Sequence, residues 1–312
     1  MKNFDCTIVV PIYFNQHSIA PLYESFREKV FSKNNLKFQT IFVNDGSKDK
    51  SLEILFSIKE KYPDESIKII DLSRNFGQVS AVFAGYEHAN SKCIINISAD
   101  MQDPPEIMNL MLSEFIDNES PIVIGVRESR DEGFFRRITS YIFYTLMKKL
   151  SFDNMPKRGF DYALLSSDVI IELLKSKDAN PFWQGQILWT GFDIVQIPYH
   201  RKKRHSGTSK WTFSKKLTYL IDGVLGYSFL PLRLISIIGV VIALMGFLYS
   251  IVIFISKLFG GIPVEGWAPI MITILLLSGT QMIMLGVIGE YLWRTLSQTR
   301  NRKAYIVKKV YE

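Results

Sequence analysis

The stretch ISADMQDPPE, residues 97–106, concentrates groups that can do chemistry. Asp100 and Gln102 offer oxygen atoms two residues apart, and Asp103 adds a second carboxylate. Oxygen ligands of this kind suit Mg2+ or Mn2+, ions that keep several waters and complete their shell with substrate phosphates. The apolar run CIINISA, 93–99, reads as a buried strand leading into this loop, and Pro104 and Pro105 end it. Pro105-Glu106 then opens a helix. Taken alone, acids in such a turn are ordinary capping residues. Their weight comes from the elements that deliver them.

Apolar, β-branched runs recur at 6–13, 37–43, 67–72, 93–99 and 121–126, with helix-like segments at 18–31, 50–61, 79–90 and 106–117 between them. Strands without polar alternation are buried on both faces, which predicts an α/β fold with a parallel sheet covered by helices. Ligands bind such sheets at the carboxyl ends of the strands. The segments expected there are PIYFNQ, NDGSKD, SRNFGQ, SADMQD and GVRESR. A structural sheet needs turns, but not five acid, amide or arginine clusters on one edge.

The chain changes character near residue 229. Leu234–Ile255 and Trp267–Gly289 carry no charged residue and are long enough to span a bilayer. We expect spans at about 232–256 and 267–292, joined by a short outer loop within a 230–293 hairpin. Trp267, Tyr291 and Trp293 sit at the ends of the second run, where amphipathic rings favour the interface. Arg233 precedes the first run, and Arg294, Arg300, Arg302, Lys303, Lys308 and Lys309 follow the second. The positive-inside rule makes both flanks cytoplasmic, with 294–312 a basic cytoplasmic tail. Glu290 is expected to pair with Arg294, one turn away. The small residues from Gly279 to Gly289 are compatible with a homo-oligomer.

The 312 residues carry a net charge of +7 and a pI near 9.2, which points to an anionic partner. Arg201–Lys216, RKKRHSGTSKWTFSKK, holds seven Lys or Arg and no acid. With Trp211 and Phe213 interleaved and a span close behind, it reads as an attachment to anionic lipid headgroups. No nucleic-acid motif accompanies it. Residues 209–229 read as an interfacial amphipathic helix after a catalytic domain at 1–208. The aromatics Phe134, Phe135, Tyr141, Phe143 and Tyr144 read as helix packing or the lining of a groove for an apolar chain. Cys6 and Cys93 read as small core residues in a reducing compartment, and MKNFDCTIVVPIYF as a strand rather than a signal peptide.

VVPIYFNQ, IFVNDGSKDKS, SRNFGQVSAVFAGYEHA, SADMQDPPE and RHSGTSKW, followed by two C-terminal spans, resemble the polyprenyl-phosphate glycosyltransferases. These are inverting family 2 enzymes of GT-A fold. The likeness leans towards bactoprenol glucosyltransferases of O-antigen modification and dolichol-phosphate mannose synthase. It implies a nucleotide-sugar donor, UDP favoured, an undecaprenyl phosphate acceptor, and a multi-pass protein of the inner membrane. It assigns Pro11, Tyr13, Asn15, Asp45, Arg74, Asn75, Ser98 and Lys210 to the nucleotide, and Asp100 and Gln102 to a Mg2+ or Mn2+ ion. Asp100, Asp103 and Arg127 fall at the reacting centre, and Arg127, Arg136, Arg137 and Arg204 at the acceptor phosphate. The chain departs from the family pattern at Ser98, Asn44, Asn15-Gln16 and Ala163, where relatives carry an acid, an acid, Asn-Glu and an arginine. Asp161 is kept. If the missing arginine handles acceptor phosphate in relatives, Arg158 is a substitute.

A lipid phosphate is already an anion at neutral pH, so it needs positioning and cations more than a general base. None of the four histidines, His17, His88, His200 and His205, lies in the acid loop. Two other readings fit the motifs. One is a family 2 transferase acting on a sugar hydroxyl of a lipid-linked saccharide, and the other a catalytically silent membrane scaffold.

Overall fold

The computed structural model describes residues 3–128, 154–156, 159–176, 182–202, 230–259, 266–300 and 302–312, with isolated positions between them. The chain forms two compact units, Met1–Val224 with Arg302–Glu312, and Leu225–Asn301.

In the first unit the elements run β1 (Phe4–Ile12), α1 (Ile19–Lys29), β2 (Phe38–Asn44), α2 (Ser51–Lys61), β3 (Ser66–Leu72), α3 (Gln78–Glu87), β4 (Ser91–Asn96), α4 (Ile107–Asp117) and β5 (Ile122–Arg127). After them come β6 (Tyr162–Ser166), α5 (Ser167–Lys175), α6 (Trp183–Trp189), β7 (Ile194–Tyr199) and, far along the chain, β8 (Val307–Tyr311). The eight strands form one sheet in the order β7-β5-β6-β4-β1-β2-β3-β8. β1 pairs in parallel with β2 and β4, β2 with β3, and β5 with β7. β5 and β4 both run antiparallel to β6, so they point the same way. Six strands therefore deliver their carboxyl ends to one edge, and only β6 and β8 run against them.

The apolar runs become strands because Ile8, Val9, Val10, Ile41, Phe42, Val43, Ile69 and Ile70 are wholly buried and need cover on both faces. Chain order reverses around β1: the chain steps outward through β2 and β3, then crosses back to β4 on β1's other side. The crevice between the ends of β1 and β4 is thus a topological switch point, where this architecture binds ligands.

The five strands read from the sequence lie within three residues of their expected bounds, and β6, β7 and β8 were not foreseen. Segment 294–312, expected as a tail, is corrected in part: its first residues extend a helix to Thr299, and 307–311 are β8, antiparallel to β3. The lysine count of VKKVY conceals the reason. Tyr311 packs edge-on against Phe56 at 4.7 Å, while Lys308 reaches Asp71.

The second unit holds two helices, α7 (Leu230–Leu258) and α8 (Trp267–Thr299). Leu232–Ile255 and Ile272–Thr299 are long and apolar enough to cross a membrane, with mean hydropathies of 2.7 and 1.9. Neither window is buried in the protein. Large side chains such as Phe247, Leu248, Phe254, Leu276 and Ile283 are exposed along them. The hydroxyls of Ser236, Thr280 and Thr295 each donate to a carbonyl one turn back, so they need no water. Arg294 pairs with Glu290 at 2.9 Å, as the spacing predicts.

Candidate active site

The side of the switch-point edge formed after β2 and β3 is organised by one carboxylate. Asp45, directly after β2, is 2 % exposed. It accepts from the Phe76 amide at 2.7 Å, the Gly77 amide at 2.9 Å and the Asn75 side-chain amide at 2.8 Å. Burial pushes the Asp45 carboxyl above its usual range, and the Phe76 and Gly77 amides pull it back. Gly46 makes the approach feasible: its φ is +65°, and a Cβ there would lie 2.5 Å from the Arg74 carbonyl carbon. Arg74 is left at the rim, its guanidinium 4.1 Å from the Phe76 ring centre. The loop after β1 is tied to the same region. The Tyr13 amide donates to Asn15 Oδ1, the Phe14 amide to Ser47 Oγ, and the Asn15 amide to Ser51 Oγ. Phe14 sits in the left-handed region at φ +56°.

The acid–amide loop follows β4. Ile97 keeps one more bond to β1, its amide donating to the Val9 carbonyl, before the chain turns. Asp100 makes the turn, accepting from the Gln102 amide at 3.1 Å, and Met101 lies at φ +58°. Left-handed non-glycine residues persist where the surroundings over-determine them, often at ligand sites. Two lie on this edge, one on each side of the crevice.

A buried charge network stands behind the loop. Asp103 is 1 % exposed and accepts from the Tyr199 hydroxyl at 2.6 Å. Arg201, two residues past β7, reaches Asp103 at 3.0 Å and Asp100 at 3.8 Å. Arg127, at the end of β5, has a side chain 2 % exposed and is paired with Asp161 at 2.5 Å. Burial opposes its charge, but the Asp161 and Asp103 carboxylates outweigh that and hold its pKa well above the usual value. Burial and the Asp103 charge push Tyr199 up, so its hydroxyl stays a donor. Lys202 clasps the loop from outside: its amide donates to the Gln102 carbonyl, and its own carbonyl accepts from Gln102 Nε2.

The loops after β1, β2 and β3 on one side of the crevice and the acid–amide loop on the other form the candidate site. Residues 7–174 match the model of glycosyl transferase family 2. The chain belongs to that family. It is 36 % identical over 311 residues to the uncharacterised glycosyltransferase YkcC of Bacillus subtilis, covering 99 % of this chain and 95 % of the relative. It is 31 % identical to the prophage bactoprenol glucosyl transferase homologue of Escherichia coli K12, covering 97 % and 98 %. Among solved structures, the mannosyltransferase PcManGT of Pyrobaculum calidifontis, in complex with GDP-Man and Mn2+, superposes with a TM-score of 0.50. At 14 % identity, over 96 % of this chain and 87 % of that one, it supports the expected GT-A fold.

In this glycosyltransferase the structure gathers Pro11, Tyr13, Asn15, Asp45, Arg74, Asn75, Ser98, Asp100, Gln102, Asp103 and Arg127 at the carboxyl edge of one sheet. Asp45 is spent on its neighbouring loop, and Arg127 on Asp161. Lys210, Arg136, Arg137, Arg204 and Arg158, the aromatics of 134–144 and most of 209–229 lie outside the described residues. Tyr199 and Arg201 were missed as site residues because Arg201 was counted with the basic membrane segment. The signal available was YHR directly after an apolar run, the same strand-end grammar used for the other loops. Among the described residues no three His, Cys, Asp or Glu side chains converge as a self-sufficient metal site.

Proposed function

We propose that this transferase moves a sugar from a nucleoside diphosphate donor, UDP favoured, to polyprenyl phosphate at the cytoplasmic face of the inner membrane, with inversion. The observation that carries it is the join of a donor-type strand edge to two bare apolar helices in one chain. End-to-end relatives are named bactoprenol glucosyl transferases. The placement of β8 supports the sidedness. β8 follows both apolar helices and is a strand of the same sheet as β1–β7, which fits a hairpin that crosses the bilayer an even number of times. The basic flanks put that side in the cytoplasm.

The residues divide the work. The loops after β1, β2 and β3 hold the nucleotide. Asp100 and Gln102 would hold a Mg2+ or Mn2+ ion, which supplies Lewis-acid relief of the charge building on the leaving diphosphate. Tyr199, Arg201 and Lys202 fix the acid loop so that Asp100 and Gln102 keep their aim. Arg127, held by Asp161, keeps positive charge behind the loop, where phosphates of donor and acceptor meet. The acceptor phosphate attacks as an anion, so no side chain need remove a proton from it.

A direct test uses purified protein, polyprenyl phosphate and labelled UDP-, GDP- and dTDP-sugars, with Mn2+ or EDTA. Lipid-extractable label from one donor, lost with EDTA and with Asp100→Asn, is the expected result. Extractable label that EDTA leaves intact would reject the metal assignment, and none from any donor would reject the acceptor. The hydroxyl-acceptor reading would need a base, and Asp103, whose buried Oδ2 has no hydrogen-bond partner among the described residues, is the acid that would have to serve. Asp103→Asn should abolish transfer to a hydroxyl and leave transfer to a phosphate measurable.

A further inference from the structure

The strand β8 reaches further into the donor side than closing a sheet edge requires. The Ile306 carbonyl accepts from the Ser73 amide at 3.0 Å, at the root of the loop whose next residues Asp45 clamps. Tyr305 donates its hydroxyl to Glu87, the last residue of the helix that loop opens into. The β3–β8 register breaks between Asp71 and Leu72, which pair with Lys309 and Val307. Lys308 is the extra residue, and such a bulge re-aims a side chain. Its ammonium lies 3.4 Å from Asp71 Oδ2, whose side chain is 5 % exposed.

From Asp71 the contacts continue inward. Asn44 Nδ2 donates to Asp71 Oδ1 at 2.8 Å, while Asn44 Oδ1 accepts from the Ser47 amide at 3.3 Å. Ser47 Oγ in turn accepts from the Phe14 amide at 3.2 Å. One relay thus joins Lys308, Asp71, Asn44, Ser47 and Phe14, touching the loops after β1 and β2. The Ile306–Ser73 bond secures the loop after β3. The relay also accounts for the departure at Asn44. An amide bridges Asp71 and the Ser47 amide, whereas a second carboxylate would face Asp71 with like charge.

We propose that β8 is a latch for the donor site: its docking on β3 sets the three nucleotide loops through Ser73 and the Lys308–Asp71–Asn44 relay. This rests on the reading of those loops as the nucleotide site. β8 is tethered to α8 by only seven residues, 300–306, so the latch is fed directly from the apolar hairpin. Nucleotide affinity is thereby a property of the full chain and not of residues 1–208 alone.

The test is the affinity of full-length protein in detergent for UDP with Mn2+, compared between wild type, Lys308→Ala, Lys308→Arg and a chain lacking 305–312. Steady-state kinetics run beside it. Lys308→Ala should weaken UDP about three- to fivefold, the scale of an exposed ion pair. It should raise donor KM equally while leaving kcat and acceptor KM unchanged, and Lys308→Arg should restore both. Amide hydrogen exchange at Ser73–Gly77 should quicken in Lys308→Ala with the thermal midpoint held, and the deletion should cost about tenfold or more in affinity. Equal UDP affinity in wild type and Lys308→Ala, with Asp45→Ala weakened, overturns the latch and keeps the donor site. Failure of wild type to bind UDP, GDP or dTDP overturns the donor reading, and the latch with it.

Discussion

Asp45 and Asp100 both sit at the end of a parallel strand, both are nearly buried, and both belong to short acid-bearing loops. Their surroundings differ. Asp45 spends its oxygens on two backbone amides and a side-chain amide of the neighbouring loop. Asp100 accepts from the Gln102 amide of its own turn, with the Arg201 guanidinium 3.8 Å away. The first carboxylate ties down the neighbouring loop, and the second shapes its own turn beside Arg201. Strand-end position therefore places an acid at the site without giving its role; the backbone amides within reach decide that.

This contrast can be broken by experiment. Asp100→Asn should lower transfer by about a hundredfold or more, with the Mn2+ dependence flattened, because Lewis-acid assistance is worth several kcal/mol. A label-transfer assay over a Mn2+ titration reads this. Asp45→Ala should instead weaken nucleotide binding by about tenfold, the loss of charge-assisted hydrogen bonds to the loop, with kcat at saturating donor nearly kept. If Asp45→Ala abolishes kcat and spares affinity, the division of roles fails.

Asp161→Ala leaves Arg127 buried without its nearest partner. Breaking a fully buried pair costs about 3–5 kcal/mol. Because the Asp161 side chain is 44 % exposed, we expect about 2 kcal/mol, read by chemical denaturation. The smallest effect is a pH trend. The Asp45 pKa is raised in the folded state by burial, so over the window just above the usual carboxylate range the native chain binds more protons than the unfolded chain. Stability should fall as pH rises through that window. Asp45→Asn should remove that component of the slope in thermal melts from acid to neutral pH.

The core of the fold was legible because β1 to β5 are unbroken apolar runs, and a run buried on both faces advertises itself. β8 was not, because VKKVY is short, half exposed and rich in lysine, and it becomes a strand only where β3 offers a partner. The loops that gather at the sheet edge were legible one by one, from PIYFNQ to GVR. The pairings across it were not. Arg127 meets Asp161 and Arg201 meets Asp103 across long stretches of chain, and no local pattern encodes such partners. Asp45 was placed correctly on the edge, but its engagement with Phe76 and Gly77 depends on the φ of Gly46 and the closeness of Arg74.

The position of β8 in chain order also bears on biogenesis. Domains fold from the N-terminal end during synthesis. Here β3 is made early, while the strand that covers its outer edge emerges only after both apolar helices. Throughout that interval β3 presents an open row of amides and carbonyls, the kind of edge that invites wrong pairing. A ribosome stalled within the two apolar helices would leave β8 unmade. The sheet would then stay open-edged, and misassembled molecules would be marked for aggregation or proteolysis.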